Sequence, residues 1–131
     1  MTTKELCIGN WVTDNNRMPM FVQAIYGDDT VYLDFDGNEA DTWETDIEDV
    51  KPIEITDTFL HKNGFDNTHT PNIYHKDVEG WHVSFSPMGD GEYNMRFYWP
   101  GYYYSDARIK YVHEMQNAAM LITKKELEVK I

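Results

Sequence analysis

Cysteine is almost missing from this chain. Cys7 stands alone among 131 residues, so no internal disulfide can form. That usage suits a reducing compartment, and a cytoplasmic protein is expected. Long apolar runs are missing too: no stretch approaches the roughly 20 residues of a membrane-spanning helix. The opening Met1-Thr2-Thr3-Lys4-Glu5 has no charged-then-apolar secretion layout. A soluble protein with no membrane partner is therefore expected. The phosphate-cradling glycine loop, the dinucleotide-binding glycine pattern and the nucleophile elbow are absent as well, and no cofactor is expected.

Positive charge is scarce in one place. Between Asp28 and Asp57 there are twelve acidic residues and one base, Lys51, so this segment carries nearly all of the net charge of -12. Phosphates would be repelled there, and direct nucleic-acid binding through that face is not expected. A basic protein surface or a cation fits it better. Aromatics, by contrast, are plentiful, with four Trp, nine Tyr and six Phe. Together with a hydrophobic fraction of 41% they provide a core for one ordinary domain or two very small ones tied together.

The first half reads as short strands. Leu6, Ile8 and Val12 open it, and Asp14-Asn15-Asn16 forms a turn. Met20 to Tyr26 follows, and then Thr30 to Phe35, which alternates with Val31, Leu33 and Phe35 on one face. Asp36-Gly37 signals a tight hairpin, from which Ala40 to Thr45 returns. Asp46 to Val50 makes one helical turn before Pro52-Ile53-Glu54-Ile55. Five strands with a helical turn before the last resemble an SH3-like or Tudor-like barrel over residues 1–55. Residues 56–65 form a connecting helix capped by Thr56 and stopped by Gly64.

Residues 66–131 read as an antiparallel sheet packed with one amphipathic helix, giving an α+β fold overall. Its strands are Ile73 to Lys76, Trp81 to Ser86 and Tyr93 to Trp99, with a closing strand from Leu127 to Ile131. The helix is expected over residues 105–122. Ile109, Val112, Met115, Ala119 and Ile122 make its apolar stripe, and Ser105 caps it. The two halves are expected to act as one cooperative unit.

Leu6-Cys7-Ile8-Gly9-Asn10-Trp11-Val12, Pro52-Ile53-Glu54-Ile55-Thr56 and Asn63-Gly64-Phe65 look like blocks of one group of proteins. So does Ile109-Lys110-Tyr111-Val112-His113-Glu114-Met115-Gln116-Asn117, with Met115 where Leu is usual. On these blocks the chain resembles small proteins of gut Bacteroidetes and their phages and mobile elements. The group has no assigned activity, so the resemblance implies a setting and an inseparable unit, with no site residues.

Candidate chemistry is thin. Asp34, Asp36 and Asn38 start like a calcium loop, but Glu39 and Thr45 stand where Gly and Glu belong. His69, His75 and His82 are too widely spaced for a helical zinc pair. His75 and His82 can meet across a hairpin to make a weak site, although the spacing reads first as scattered surface histidines. His113-Glu114 lacks a second His four residues on, so His113 reads as a hydrogen-bonded boundary residue, with Gln116 and Asn117 tying the helix to nearby backbone. Cys7 reads as an inert thiol. No catalytic or metal-ligating set emerges.

Two binding candidates remain. The first is the acidic face, with Asp34, Asp36, Asp41, Trp43 and Glu44; alternation puts Asp34 opposite the apolar side of its strand. Aromatic rings framed by carboxylates suit Lys or Arg. The second is Trp99, Tyr102 and Tyr103, in an aromatic run from Phe97 to Tyr104 that a strand cannot bury on one face. These features point to a non-catalytic interaction module that docks a basic protein surface, in its sharper form as a DNA mimic. The alternative is a small enzyme or ligand-binding protein with a pocket between barrel and helix. A deep polar pocket holding His113 with a carboxylate would mark that case.

Overall fold

Val31 and Leu33 alternate with Thr30 and Tyr32, and the strand they predict is present with both apolar residues fully buried. The computed structural model describes residues 1–15, 17–34 and 42–131. The fold is mixed α+β, with two antiparallel sheets. It groups into two compact units, Met1–Ile53 with Tyr111–Asn117 and Glu54–Lys110 with Ala118–Ile131.

In the first unit, β1 (Trp11–Thr13), β2 (Pro19–Ile25), β3 (Thr30–Asp34), β4 (Trp43–Asp46) and β5 (Lys51–Pro52) form a sheet in the order β4-β3-β2-β1-β5. The expected helical turn before the last strand is a 3-10 turn, Ile47–Asp49. Leu6, Val12, Met20, Val22, Val31, Leu33, Ile47 and Val50 make the core. The first strand is shorter than its apolar residues suggest. Thr3–Glu5 is a 3-10 turn and Gly9 has φ +94°, so Ile8 is left exposed. Asn16 of the first turn, Phe35, the Asp36-Gly37 hairpin and the start of the fourth strand at Ala40 lie outside the described residues.

In the second unit, α1 (Asp57–Lys62) is capped as expected, with Thr56 Oγ1 accepting from Phe59 N–H at 3.1 Å. Strands β6 (Tyr74–Val78), β7 (Trp81–Gly89), β8 (Glu92–Tyr98) and β9 (Tyr103–Ile109) pair in sequence order. Buried residues alternate cleanly along β8, with Tyr93, Met95 and Phe97 inward. Phe65 packs edge-on against Phe85, with ring centroids 4.9 Å apart.

Strand β9 corrects the helix expected over 105–122. The helix α2 is Val112–Thr123, and Ser105 lies within a strand rather than capping a helix. Ser105, Ala107 and Ile109 stand opposite Phe97, Met95 and Tyr93, so the ladder with β8 uses the backbone bonds a helix would need. The three tyrosines before Ser105 favour an extended chain, and Ile109 satisfies strand alternation as well as helical spacing. The helix start is instead marked by Glu114, whose carboxylate accepts from Tyr111 N–H at 3.0 Å. Val112, Met115 and Ala119 are buried as the stripe requires. The expected closing strand from Leu127 to Ile131 has no ladder partner among the described residues, and Lys130 bonds to the Asn63 side chain through both N–H (2.7 Å) and C=O (2.8 Å).

Candidate functional site

Asp28, Asp29, Glu44 and Asp46 are exposed on the first unit, the first two in the turn before β3 and the last two on β4. Asp28 Oδ1 accepts from Thr30 N–H at 3.2 Å, and Asp29 takes φ +66°, which sets the turn. Tyr26 is half exposed and meets Tyr32 edge-on, with centroids 5.2 Å apart. Tyr32 stands directly opposite Glu44. The Glu44 charge, followed by desolvation, Tyr26 and Asp28, pushes the Tyr32 phenol above its usual range.

Of the candidate residues, Trp43 and Glu44 are both exposed, with Trp43 at 56%. They are successive residues of edge strand β4 and therefore point to opposite faces. Asp34 is a correction: it is fully buried and belongs to no solvent face. Alternation fixes the side of a strand a residue takes, not what covers that side. Asp34 lies opposite Phe21, whose ring packs against Trp11. Asp36 and Asp41 lie outside the described residues, as do Asn38 and Glu39 of the calcium-like pattern.

The aromatic run sits on the second unit at the tip of the β8–β9 hairpin. Phe97 is buried, but Trp99, Tyr102, Tyr103 and Tyr104 are exposed at 45%, 76%, 58% and 59%. The Trp99 indole rests on the Glu79-Gly80 turn, where a Cβ on Gly80 would stand 2.5 Å from the ring. It also packs on Trp81 at 5.0 Å, and Trp81 meets Tyr104 edge-on at 5.0 Å. Desolvation, then the charge and hydrogen bond of Asp106, raise the Tyr103 phenol.

Histidine geometry departs from the sequence reading. His113 is not a hydrogen-bonded boundary residue. It is 2% exposed, and neither ring nitrogen has a hydrogen-bond partner among the described residues. Its ring stacks on Tyr111. Burial pushes its pKa down, against the nearby charges of Glu114 and Glu5. The polar His113 pocket with a paired carboxylate is therefore not what this side chain forms. His75 and His82 do meet, joined by Asp77, a partner that spacing alone did not reveal. Cross-strand register was the missing signal.

Gln116 and Asn117 tie the helix to backbone as expected. Gln116 Oε1 accepts from Trp11 N–H at 2.8 Å, and Asn117 Nδ2 donates to Glu5 C=O at 3.0 Å. A concavity in the second unit, lined by Val78, Trp81, Val83, Met95, Phe97 and Ala119, encloses about 10 Å³, room for one water. No helix is long and apolar enough to cross a membrane among the described residues. Comparison with protein-family models, curated proteins and solved structures found no match.

Proposed function

We propose that the chain is a non-catalytic interaction module that binds a basic protein segment through the acidic, aromatic surface of β3, β4 and the turn before β3. Tyr32 carries this reading. Its phenol is raised by the Glu44 and Asp28 carboxylates beside it, with the Tyr26 ring edge-on. None of the three ion pairs formed between described residues involves Asp28, Asp29, Glu44 or Asp46. Unneutralised negative potential beside exposed rings suits Lys or Arg, which gains both charge attraction and cation–π contact.

The strand order β4-β3-β2-β1-β5, with a 3-10 turn before β5, fits the SH3-like layout and leaves β4 as an exposed edge. In the phage or mobile-element setting that the resemblance suggests, the sharper form is DNA mimicry, with carboxylates where a basic partner expects phosphates. The exposed Trp99, Tyr102 and Tyr103 supply a second, apolar contact surface.

Association of the full chain with an arginine-rich peptide, followed at about 50 mM and about 300 mM salt, tests the reading. Asp28→Asn, Glu44→Gln and Asp46→Asn together should slow association at low salt and flatten its salt dependence, with stability changed by no more than about 1 kcal/mol. Equal on-rates for parent and triple variant at both salts would refute it.

A further inference from the structure

We propose that His75 and His82 form a binding site for a divalent first-row transition ion, with Asp77 as the outer carboxylate. Register builds it. In the β6–β7 hairpin His75 stands opposite Ser84 and Asp77 opposite His82, which makes the two histidines diagonal neighbours on one face. Their rings are nearly parallel, at 27°, with centroids 5.1 Å apart. His75 Nδ1 and His82 Nε2 are 3.0 Å apart. His82 Nδ1 lies 2.8 Å from Asp77 Oδ1.

A carboxylate accepts and never donates, so Asp77 takes the proton on His82 Nδ1. In the neutral ring this leaves the Nε2 lone pair facing His75. Carboxylate–histidine–metal triads have this arrangement, with the outer carboxylate fixing tautomer and ring orientation. Two nitrogens bound about 2.1 Å from one ion at a right angle stand about 3.0 Å apart. The observed separation matches that of two adjacent ligands, and each ring turns by about 45° away from the shared hydrogen-bond axis to aim both lone pairs at one ion.

On binding, the two metal–nitrogen bonds replace the shared hydrogen bond. The His75 ring proton moves from Nδ1 to Nε2, with no change of redox state and no net proton release. His75 Nε2 is buried without a hydrogen-bond partner among the described residues, so this tautomer is costly and holds the affinity below that of a closed zinc site. No three His, Cys, Asp or Glu side chains converge to hold a metal among the described residues, so water fills the remaining positions. Imidazole ligands select zinc, nickel and copper over magnesium and calcium.

The test titrates the full-length Cys7→Ser chain, which removes an exposed competing thiol, with Ni²⁺, Zn²⁺ and Mg²⁺ by calorimetry. NMR follows the histidine ring signals as Ni²⁺ is added. Ni²⁺ and Zn²⁺ should bind once per chain and Mg²⁺ not at all, with His75 and His82 broadening before His61 and His69. His75→Gln and His82→Gln should each weaken Ni²⁺ binding at least about tenfold, and Asp77→Asn about tenfold, with unchanged circular dichroism. Asp77 is highly exposed, so its variant reports on the site without disturbing a core. Equal affinity in the parent and either histidine variant, or first broadening at His61 or His69, overturns the proposal.

Discussion

Replacing Asn117 by Ala should destabilise the protein by about 2 kcal/mol, although the residue lies in a helix where Ala is the better former. The side chain holds two partners: Nδ2 donates to Glu5 C=O at 3.0 Å, and Oδ1 accepts from Asn10 Nδ2 at 2.9 Å. Asn10 is 3% exposed, so the variant leaves a buried donor with no acceptor, which costs about 1–3 kcal/mol. The Glu5 carbonyl belongs to an exposed residue that water can reach, so its loss adds less. Helix propensity returns about 0.5 kcal/mol. For a chain of this size the sum lowers Tm by about 6–10 °C. Urea titration and calorimetry measure it, with Leu121→Ala, 71% exposed on the same helix, as a control expected within about 0.5 kcal/mol. A double-mutant cycle with Asn10→Ala should show coupling of about 1 kcal/mol or more. An effect in Asn117→Ala no larger than in the control, or additive single variants, would show that this contact stabilises nothing.

Two further outcomes are expected. Gly80→Ala should cost about 1–3 kcal/mol, because Gly80 has φ +92° and the new methyl would meet the Trp99 indole; circular dichroism should show loss of the Trp81–Trp99 exciton signal, and a retained signal with unchanged Tm refutes it. His113 is held below its ordinary 6.5, so the folded state binds fewer protons than the unfolded one; its contribution is whole above that value and is lost as pH falls through the folded pKa. His113→Leu should stabilise the protein at neutral pH and flatten the fall in stability as pH drops below about 6.5, and an unchanged slope in urea midpoints would contradict this.

Much of the fold was legible because local chemistry decides it. Thr56 caps α1, Val31 and Leu33 alternate in β3, and Val112, Met115 and Ala119 keep helical spacing in α2. Errors arose where one residue satisfies two periods or where a long-range partner intervenes. Ile109 fits the helical stripe and also the strand that pairs with β8, and only the ladder decides between them. Leu127 to Ile131 alternates like a strand, yet Asn63 takes both backbone groups of Lys130. Leu6 to Val12 and Ile109 to Asn117, far apart in the chain, are joined by hydrogen bonds from Trp11 to Gln116 and from Asn10 to Asn117, a pairing that spacing does not reveal.

The candidate surface was legible in charge but not in exposure. Counting acids locates the negative segment, and pairing shows which of them a partner can meet. Asp34 and Glu44 read alike in sequence, as acids alternating with apolar residues, yet Asp34 is fully buried while Glu44 is exposed on edge strand β4. An edge strand has solvent along one whole side, so its charges stay hydrated, whereas β3 lies between two neighbours. Charge removed at Asp34 would therefore report on packing, and charge removed at Glu44 on encounter. The same reasoning separates the histidines: His113 is buried with no hydrogen-bond partner among the described residues, while His75 and His82 are brought together by hairpin register. Residue type limits what each group can do, and the strand pairing decides which of those capacities reaches solvent.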